Sequence, residues 1–160
     1  MQIALATYSL RNKIRDPNYG MKGVADFMVK NGIKFVEINN IFTTPSDLPG
    51  ISKIFSDSGI VPIQLTVDGN NFFQKSSSGR QKQFEFMKPW IDAANKCGMK
   101  FIRANMGHPL GFLTKSDTVE NLEATFRPIL EYTEKLGINF VFENHGGKSS
   151  NIDFQLKVKE

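Results

Sequence analysis

Phe140-Val141-Phe142 runs directly into Glu143-Asn144-His145-Gly146-Gly147. An apolar stretch of strand type closes on a carboxylate, an amide, an imidazole and two glycines. Glu143 can bind a metal or move a proton, and His145 can do either. Gly146 and Gly147 let the backbone come close to a ligand. Other apolar stretches end the same way. Val36-Glu37-Ile38 leads into Asn39-Asn40, Leu65-Thr66-Val67 into Asp68-Gly69-Asn70-Asn71, and Phe101-Ile102 into Arg103-Ala104-Asn105-Met106-Gly107-His108. Arg103 can clamp a phosphate or carboxylate through its planar fork, or pair with Glu37 or Glu143. His108 can serve as a ligand or proton carrier, or as a structural hydrogen bonder ahead of Pro109. Asn105 and Asn144 can bond ligand hydroxyls or satisfy loop backbone. Phe72, Phe73 and Phe112 can line a pocket or simply pack.

The elements that position these groups follow from a repeat. Gly32, Gly59, Gly98 and Gly137 each precede an apolar strand, as in Gly32-Ile33-Lys34-Phe35-Val36 and Gly137-Ile138-Asn139-Phe140-Val141. Each glycine reads as the left-handed stop of a preceding helix. Gly98 and Gly137 stand 39 residues apart, as do Pro89 and Pro128, Asn105 and Asn144, and Gly107 and Gly146. That is the length of a helix-strand unit with its loop. Between the strands, apolar residues recur at helical spacing: Val24, Phe27 and Met28, then Leu48, Ile51, Ile54 and Phe55. Phe84, Met87, Ile91 and Ala94 follow, and after them Leu122, Phe126, Ile129 and Leu130. Ser46 is the expected N-cap of the second helix, and Asp117 with Glu120 forms a capping box for the fourth. Pro89 and Pro128 should kink their helices or mark a late start.

The pattern predicts strands near 2–7, 33–38, 61–66, 99–104 and 138–143, with four helices between them. Regular strand-helix alternation implies an α/β fold with one parallel sheet. Repeated right-handed units put its strands in the order 1-2-3-4-5, and the polar strand ends then share one rim. No Gly-x-Gly-x-x-Gly follows the first strand, where Thr7-Tyr8-Ser9-Leu10-Arg11 stands, so dinucleotide binding is not expected.

Composition sets outer bounds. The 160 residues suffice for one domain with a real core, and the net charge of +4 comes without a Lys/Arg block that would mark a nucleic-acid footprint. Cys97 is the single cysteine, which excludes a disulfide framework and a cysteine zinc cluster. It reads as a packing residue. The N-terminus reads as a first strand rather than a signal peptide, and no apolar run approaches a membrane span, so the cytoplasm is the expected location unless a leader precedes Met1.

Taken together, Ala4-Leu5-Ala6-Thr7-Tyr8-Ser9-Leu10-Arg11, Val36-Glu37-Ile38, Phe101-Ile102-Arg103-Ala104-Asn105 and Phe142-Glu143-Asn144-His145-Gly146-Gly147 resemble the xylose-isomerase-like barrel superfamily, in particular its sugar phosphate isomerase/epimerase group. The resemblance implies a TIM-type βα barrel with a divalent metal, Mn, Mg or Zn, at the C-terminal strand ends. It implies that Glu143 binds that metal and is catalytic, and that the remaining ligands come from strands six to eight. A full βα barrel takes roughly 250 residues. The chain is therefore expected to be a single domain, 1–160, forming the N-terminal part of a barrel and ending in a helix that begins near Phe154. The alternative is a half-barrel that pairs with a second copy. Free edges on strands one and five make a homo-oligomer the expected state.

The expected activity is metal-dependent isomerisation or epimerisation of a sugar or sugar phosphate through an enediolate, with the 160 residues alone inactive. Glu37, Asp68, Arg103, Asn105, His108, Asn144 and His145 are the expected substrate contacts. Two other readings stand beside it. One is a DNA-repair nuclease resembling endonuclease IV, which the absence of a His at the third strand end disfavours. The other is a barrel that binds a sugar without turning it over.

Overall fold

A computed structural model describes residues 3–107 and 117–159. Five strands alternate with helices: β1 (Ala4–Ala6), β2 (Phe35–Asn39), β3 (Val61–Val67), β4 (Phe101–Asn105) and β5 (Asn139–Glu143). The helices are α1 (Arg11–Ile14), α2 (Gly20–Lys30), α3 (Leu48–Asp57), α4 (Ser77–Lys96), α5 (Val119–Lys135) and α6 (Ile152–Lys159). All neighbouring strands pair in parallel, in the order β1-β2-β3-β4-β5. The sequential order is that of a barrel and rules out an open doubly wound sheet.

Each connecting glycine does what its position demands. Gly32, Gly59, Gly98 and Gly137 have φ of +67°, +72°, +70° and +66°, which ends a helix in the left-handed region and turns the chain into the next strand. The starts of β2, β4 and β5 fall one or two residues later than the sequence pattern placed them, because residues after each glycine are spent on the turn, while β3 starts at the expected Val61 and β1 is shorter than expected at both ends. The helix starts need more correction. Asp47, not Ser46, precedes α3, and it makes no side-chain cap bond; Ser46 Oγ instead meets Thr44 Oγ1 at 2.8 Å. Thr118, not Asp117, caps α5, accepting the Asn121 N–H at 3.3 Å. Glu120 sits in that first turn, where its own backbone N–H, followed by the Thr118 hydroxyl, holds its carboxyl below the usual range. Pro89 and Pro128 lie well inside α4 and α5, so neither marks a helix start.

The core lies between the sheet and the helices. Val36 and Ile38 of β2, Leu65 and Val67 of β3, and Ile102 and Ala104 of β4 point outward and are buried against Val24, Met28, Phe55, Met87 and Ile91. Full burial of each large aliphatic group contributes about 1.5–3 kcal/mol. Phe27 and Leu130 fall outside this packing and are exposed. On β5 the outward pair is aromatic. Phe140 and Phe142 meet Phe126 at centroid distances of 4.6 and 4.4 Å, and Phe126 meets Phe72 at 5.4 Å. Cys97 is half-buried, and burial pushes its thiol above the usual value, as fits a packing residue. Among the described residues no helix is long and apolar enough to cross a membrane.

The opposite face of the sheet carries the alternate residues. Its register contains one irregularity. Val36 pairs with Pro62 but Glu37 pairs with Gln64, so β3 has one more residue than β2 at that point. At the bulge the unpaired Ile63 shares a small cavity with Ala4 and Phe35. Above it, Gln64, Thr66 and Asp68 lie on the same face as Glu37 and Asn39.

Candidate functional site

The C-terminal ends of all five strands enclose a cavity of about 440 Å³. Glu37, Asn39, Asp68, Asn70, Arg103, Asn105, Glu143 and His145 line it, together with Ala6, Tyr8 and Ser9 from the end of β1. That volume is within the range of small-molecule pockets. Strand alternation explains the selection. Glu37, Arg103 and Asn105 are flanked by outward-facing Val36, Ile38, Ile102 and Ala104, so burying the apolar set against the helices turns the polar set inward.

Two connected layers build the wall. In the lower one Glu37 is the centre. Its Oε2 accepts from Gln64 Nε2 at 2.6 Å, and its Oε1 accepts from Thr66 Oγ1 at 2.6 Å and Arg103 Nη2 at 3.3 Å. Arg103 Nε donates to Thr66 Oγ1 at 3.2 Å, and Nη1 pairs with Glu143 Oε2. One guanidinium thus bridges carboxylates from β2 and β5. Arg103 pairs with Glu37 and Glu143, one of its two expected roles, and its fork is committed to them rather than free for an anion. The other Glu143 oxygen, Oε1, lies 3.3 Å from His145 Nδ1.

The upper layer is organised by Asp68. Asn39 Nδ2 donates to its Oδ2 at 3.0 Å and Asn105 Nδ2 to its Oδ1 at 3.3 Å. Asn40 accepts the Asp68 N–H at 2.9 Å and donates to the Asp68 carbonyl at 3.0 Å, fixing the strand end as a second backbone strand would. Asn39 N–H donates to Thr7 Oγ1 at 3.0 Å, which ties the end of β1 to the same layer. Asn70 Nδ2 donates to the Asn105 carbonyl.

The loop after β5 is held by its own serines. His145 N–H donates to Ser149 Oγ and Gly146 N–H to Ser150 Oγ, each at 3.0 Å. Gly146 has φ +83° and ψ −179°, a combination open essentially to glycine alone.

Glu37, Asp68, Arg103, Asn105, Glu143 and His145 are therefore brought to one rim, as the strand-end pattern predicts. Asn144 is exposed and does not line the cavity. His108 and Phe112 lie outside the described residues. Phe72 and Phe73 are buried in packing against Phe126 and Phe154 and are not pocket walls. Gln64 and Thr66 join the site without having been singled out by the strand-end pattern, and Asn39 and Asn70, which that pattern includes, join it without having been among the expected substrate contacts. Their signal was available in principle, since each is two residues from a named site residue or from one of the others along its strand or loop.

The donors bear on a metal as follows. Among the described residues no group of three His, Cys, Asp or Glu side chains converges. Glu143 and His145 supply one carboxylate and one imidazole within hydrogen-bond reach of each other, and both donor types suit a borderline or hard divalent ion. They fit as part of a coordination sphere, whose remaining donors are not among the described residues.

A family model described as xylose isomerase-like TIM barrel matches residues 25–157. Among solved structures, a sugar phosphate isomerase/epimerase from Parabacteroides distasonis superposes with a TM-score of 0.69 at 18% identity, over 98% of this chain and 61% of its own. D-Psicose 3-epimerase from Clostridium cellulolyticum, solved with D-tagatose, gives 0.68 at 16% identity, over 100% and 61%. The IOLI protein, solved with a bound zinc atom, gives 0.70 at 14% identity, over 100% and 60%. At these identities the likeness is one of fold, and the chain spans about three-fifths of the length of each. No curated protein sequence matches. With the family model covering most of the sequence and five parallel strands in barrel order, the chain belongs to the xylose isomerase-like TIM barrel family.

Proposed function

We propose that these residues form the N-terminal part of a βα barrel that isomerises or epimerises a sugar or sugar derivative, with Glu143 as the proton-transferring and metal-ligating carboxylate. The observation that carries this is the placement of Glu143. It closes β5 at the cavity, with one oxygen toward the Arg103 guanidinium and the other toward the His145 imidazole. Such a reaction removes a proton beside a carbonyl and returns it, which calls for a carboxylate held in a fixed position. Arg103 fixes Glu143 and offsets its charge, and Glu37 and Thr66 fix Arg103 in turn. His145 sits where it can exchange a proton with Glu143 Oε1. A divalent ion held at Glu143 would supply polarisation of the substrate oxygens. The structural neighbours include epimerases and one protein solved with a zinc atom, which supports the same reading.

A polyanionic nucleic-acid strand is the poorer fit. Among the described residues the cavity wall carries the carboxylates of Glu37, Asp68 and Glu143 against the one guanidinium of Arg103, and that surplus repels phosphates.

The test is Glu143→Gln in a polypeptide that includes the strands closing the barrel. The expected result is a large fall in bound divalent metal, measured by elemental analysis, and loss of ketose-aldose or epimer interconversion followed by NMR, with the circular dichroism unchanged. Unaltered metal content together with unaltered turnover would reduce Glu143 to a structural strand-end residue.

A further inference from the structure

We propose that Ser149 is a positioning residue for the Glu143–His145 pair: its hydroxyl, seated by α6, holds the backbone of His145 so that the imidazole stays against the Glu143 carboxylate. The proposal rests on reading that pair as the proton-transferring groups, and adds to it the residue on which their geometry depends.

Glu143 and His145 both line the cavity. They are two residues apart, so the chain must stay extended between them for both side chains to fall on one side. The ladder does not enforce this, because the pairing with β4 ends at Glu143. The restraint comes from further along the chain. After the turn at Gly146 and Gly147, Ser149 comes back to the strand end. Its Oγ accepts the His145 N–H at 3.0 Å and donates to the Gly146 carbonyl at 2.7 Å. A hydroxyl does both with a single atom. The imidazole, with Nδ1 3.3 Å from Glu143 Oε1, is carried by the backbone that this hydroxyl clamps.

Ser150 provides the contrast. It accepts the Gly146 N–H at 3.0 Å, but it is exposed and leaves His145 untouched, so water can take its place. Ser149 is 4% exposed, and solvent has little access to its position. Removing its hydroxyl deprives the His145 N–H and the Gly146 carbonyl of a partner together. Ser149 is also anchored from outside the turn. Gln155 of α6 donates its side-chain amide to the Ser149 carbonyl. Asn151 Oδ1 accepts the Phe154 N–H at 2.8 Å at the start of that helix, and the buried Phe154 ring packs on Phe73 at a centroid distance of 5.8 Å. The loop after β3 thus backs α6, and α6 sets the hydroxyl at the end of β5.

The test compares Ser149→Ala, Gln155→Ala and Ser150→Ala in the polypeptide that includes the strands closing the barrel. NMR on the metal-free protein reads His145 directly. His145 is one of two histidines, so its resonances are identified by their loss in His145→Gln. In the wild type its amide proton should exchange slowly, and three-bond couplings should report one χ1 rotamer. Ser149→Ala should speed that exchange about tenfold or more and average the rotamers. Gln155→Ala, which keeps the hydroxyl and cuts its tether, should act in the same direction and less strongly. Ser150→Ala should leave His145 as in the wild type. In turnover, Ser149→Ala should lower kcat about tenfold with KM within about twofold, and Ser150→Ala should change neither.

Equal effects of Ser149→Ala and Ser150→Ala on His145 would reduce Ser149 to a loop-stabilising residue and overturn the proposal. So would a His145 that keeps its rotamer and its slow exchange in Ser149→Ala. If Ser149→Ala does not fold, an unchanged His145 in Gln155→Ala would overturn it, as would a wild-type His145 amide that exchanges like an unbonded one. Failure of the underlying reading looks different. Loss of His145 order in Ser149→Ala with kcat unchanged, or a wild type without turnover, would sink the proton-transfer pair and leave the hold of Ser149 on His145 standing.

Discussion

Along β4, Ile102 and Ala104 point into the helices and are buried, while Arg103 and Asn105, one residue along in each case, point into the cavity. The two sides of the sheet are ordered by different physics. The outer side is held by apolar area, which is additive and tolerant of shape-conserving exchange. The inner side is held by pairings that cross four strands, in which each group is satisfied only if its neighbours are present. Losing one outer residue should remove its own contribution. Losing one inner residue should strand others.

The largest effect belongs to the outer side. Phe126 touches Phe72, Phe140 and Phe142, and Phe126→Ala should cost about 3–5 kcal/mol. Thermal denaturation should show a fall of roughly 10 °C or more. A shift of a degree or two would mean that the aromatic cluster does not anchor β5, and the contrast between faces would weaken.

Next comes Arg103→Met, which leaves Glu37 and Glu143 facing each other without the cation between them. The expected loss is about 2–4 kcal/mol, below the fully buried case because the side chains retain some exposure. The interdependence of the inner face is what Arg103→Met/Glu37→Gln would sharpen. Denaturant titration should show the double variant to be more stable than Arg103→Met alone. Simple additivity of the two substitutions would show that these groups do not act as a unit.

Gly146→Ala should cost about 1–3 kcal/mol, since φ +83° with ψ −179° is strained for any side chain. The same change should move His145, visible as a shift of its imidazole resonances. An unperturbed melting temperature would show that the loop after β5 can relax without loss.

The smallest effect tests a polar clamp on the outer side. Lys88 and Asp92 of α4 meet Tyr132 of α5, with Lys88 Nζ 2.6 Å from Asp92 Oδ2 and Tyr132 Oη donating to Oδ1. Partial burial pushes the Asp92 carboxyl up, but the bonds from Lys88 and Tyr132 outweigh it and leave the group below its usual value. A depressed carboxylate stabilises the fold above its unfolded pKa, about 3.9, and loses that contribution as pH falls through the folded value. Asp92→Asn should therefore be less stable than wild type by a few tenths of a kcal/mol at neutral pH, given the exposure of the pair. The gap should close in acid below about pH 4. A gap that stays constant with pH would assign the effect to packing instead.

The fold was legible because each glycine that ends a helix precedes an apolar strand, and that spacing survives any detail of packing. Glu37, Asp68, Arg103 and Glu143 were legible as strand ends. Their partners were not, because Arg103 could be read equally as an anion clamp or an ion-pair partner until the distances decided it. Asn39 and Asn70 stood in the same strand-end runs, but among neighbouring asparagines and glycines nothing marked which amide would turn into the cavity. Phe72 and Phe73 misled in the opposite sense. They follow a polar strand end in sequence, yet Phe72 N–H bonds the Met106 carbonyl at 3.0 Å and the loop carries both rings into the core. Cap positions slipped because Ser46 and Asp117 each have another suitable hydroxyl or carboxylate one or two residues away.

The extra residue in β3 has a consequence for how this rim can vary. Glu37 faces Gln64 only because Ile63 is passed over in the pairing. Were Ile63 to pair with Glu37 instead, β3 would keep its length of hydrogen-bonded ladder but exchange its faces beyond that point. Leu65 and Val67 would then look into the cavity, and Thr66 and Asp68 would be driven among the helices, where a carboxylate has no partner. Point substitutions in β3 trade one side chain for another. A single-codon deletion between Gln64 and Asp68 would instead turn the residues beyond it to the opposite face, so the make-up of the rim depends on residue count as strictly as on residue type.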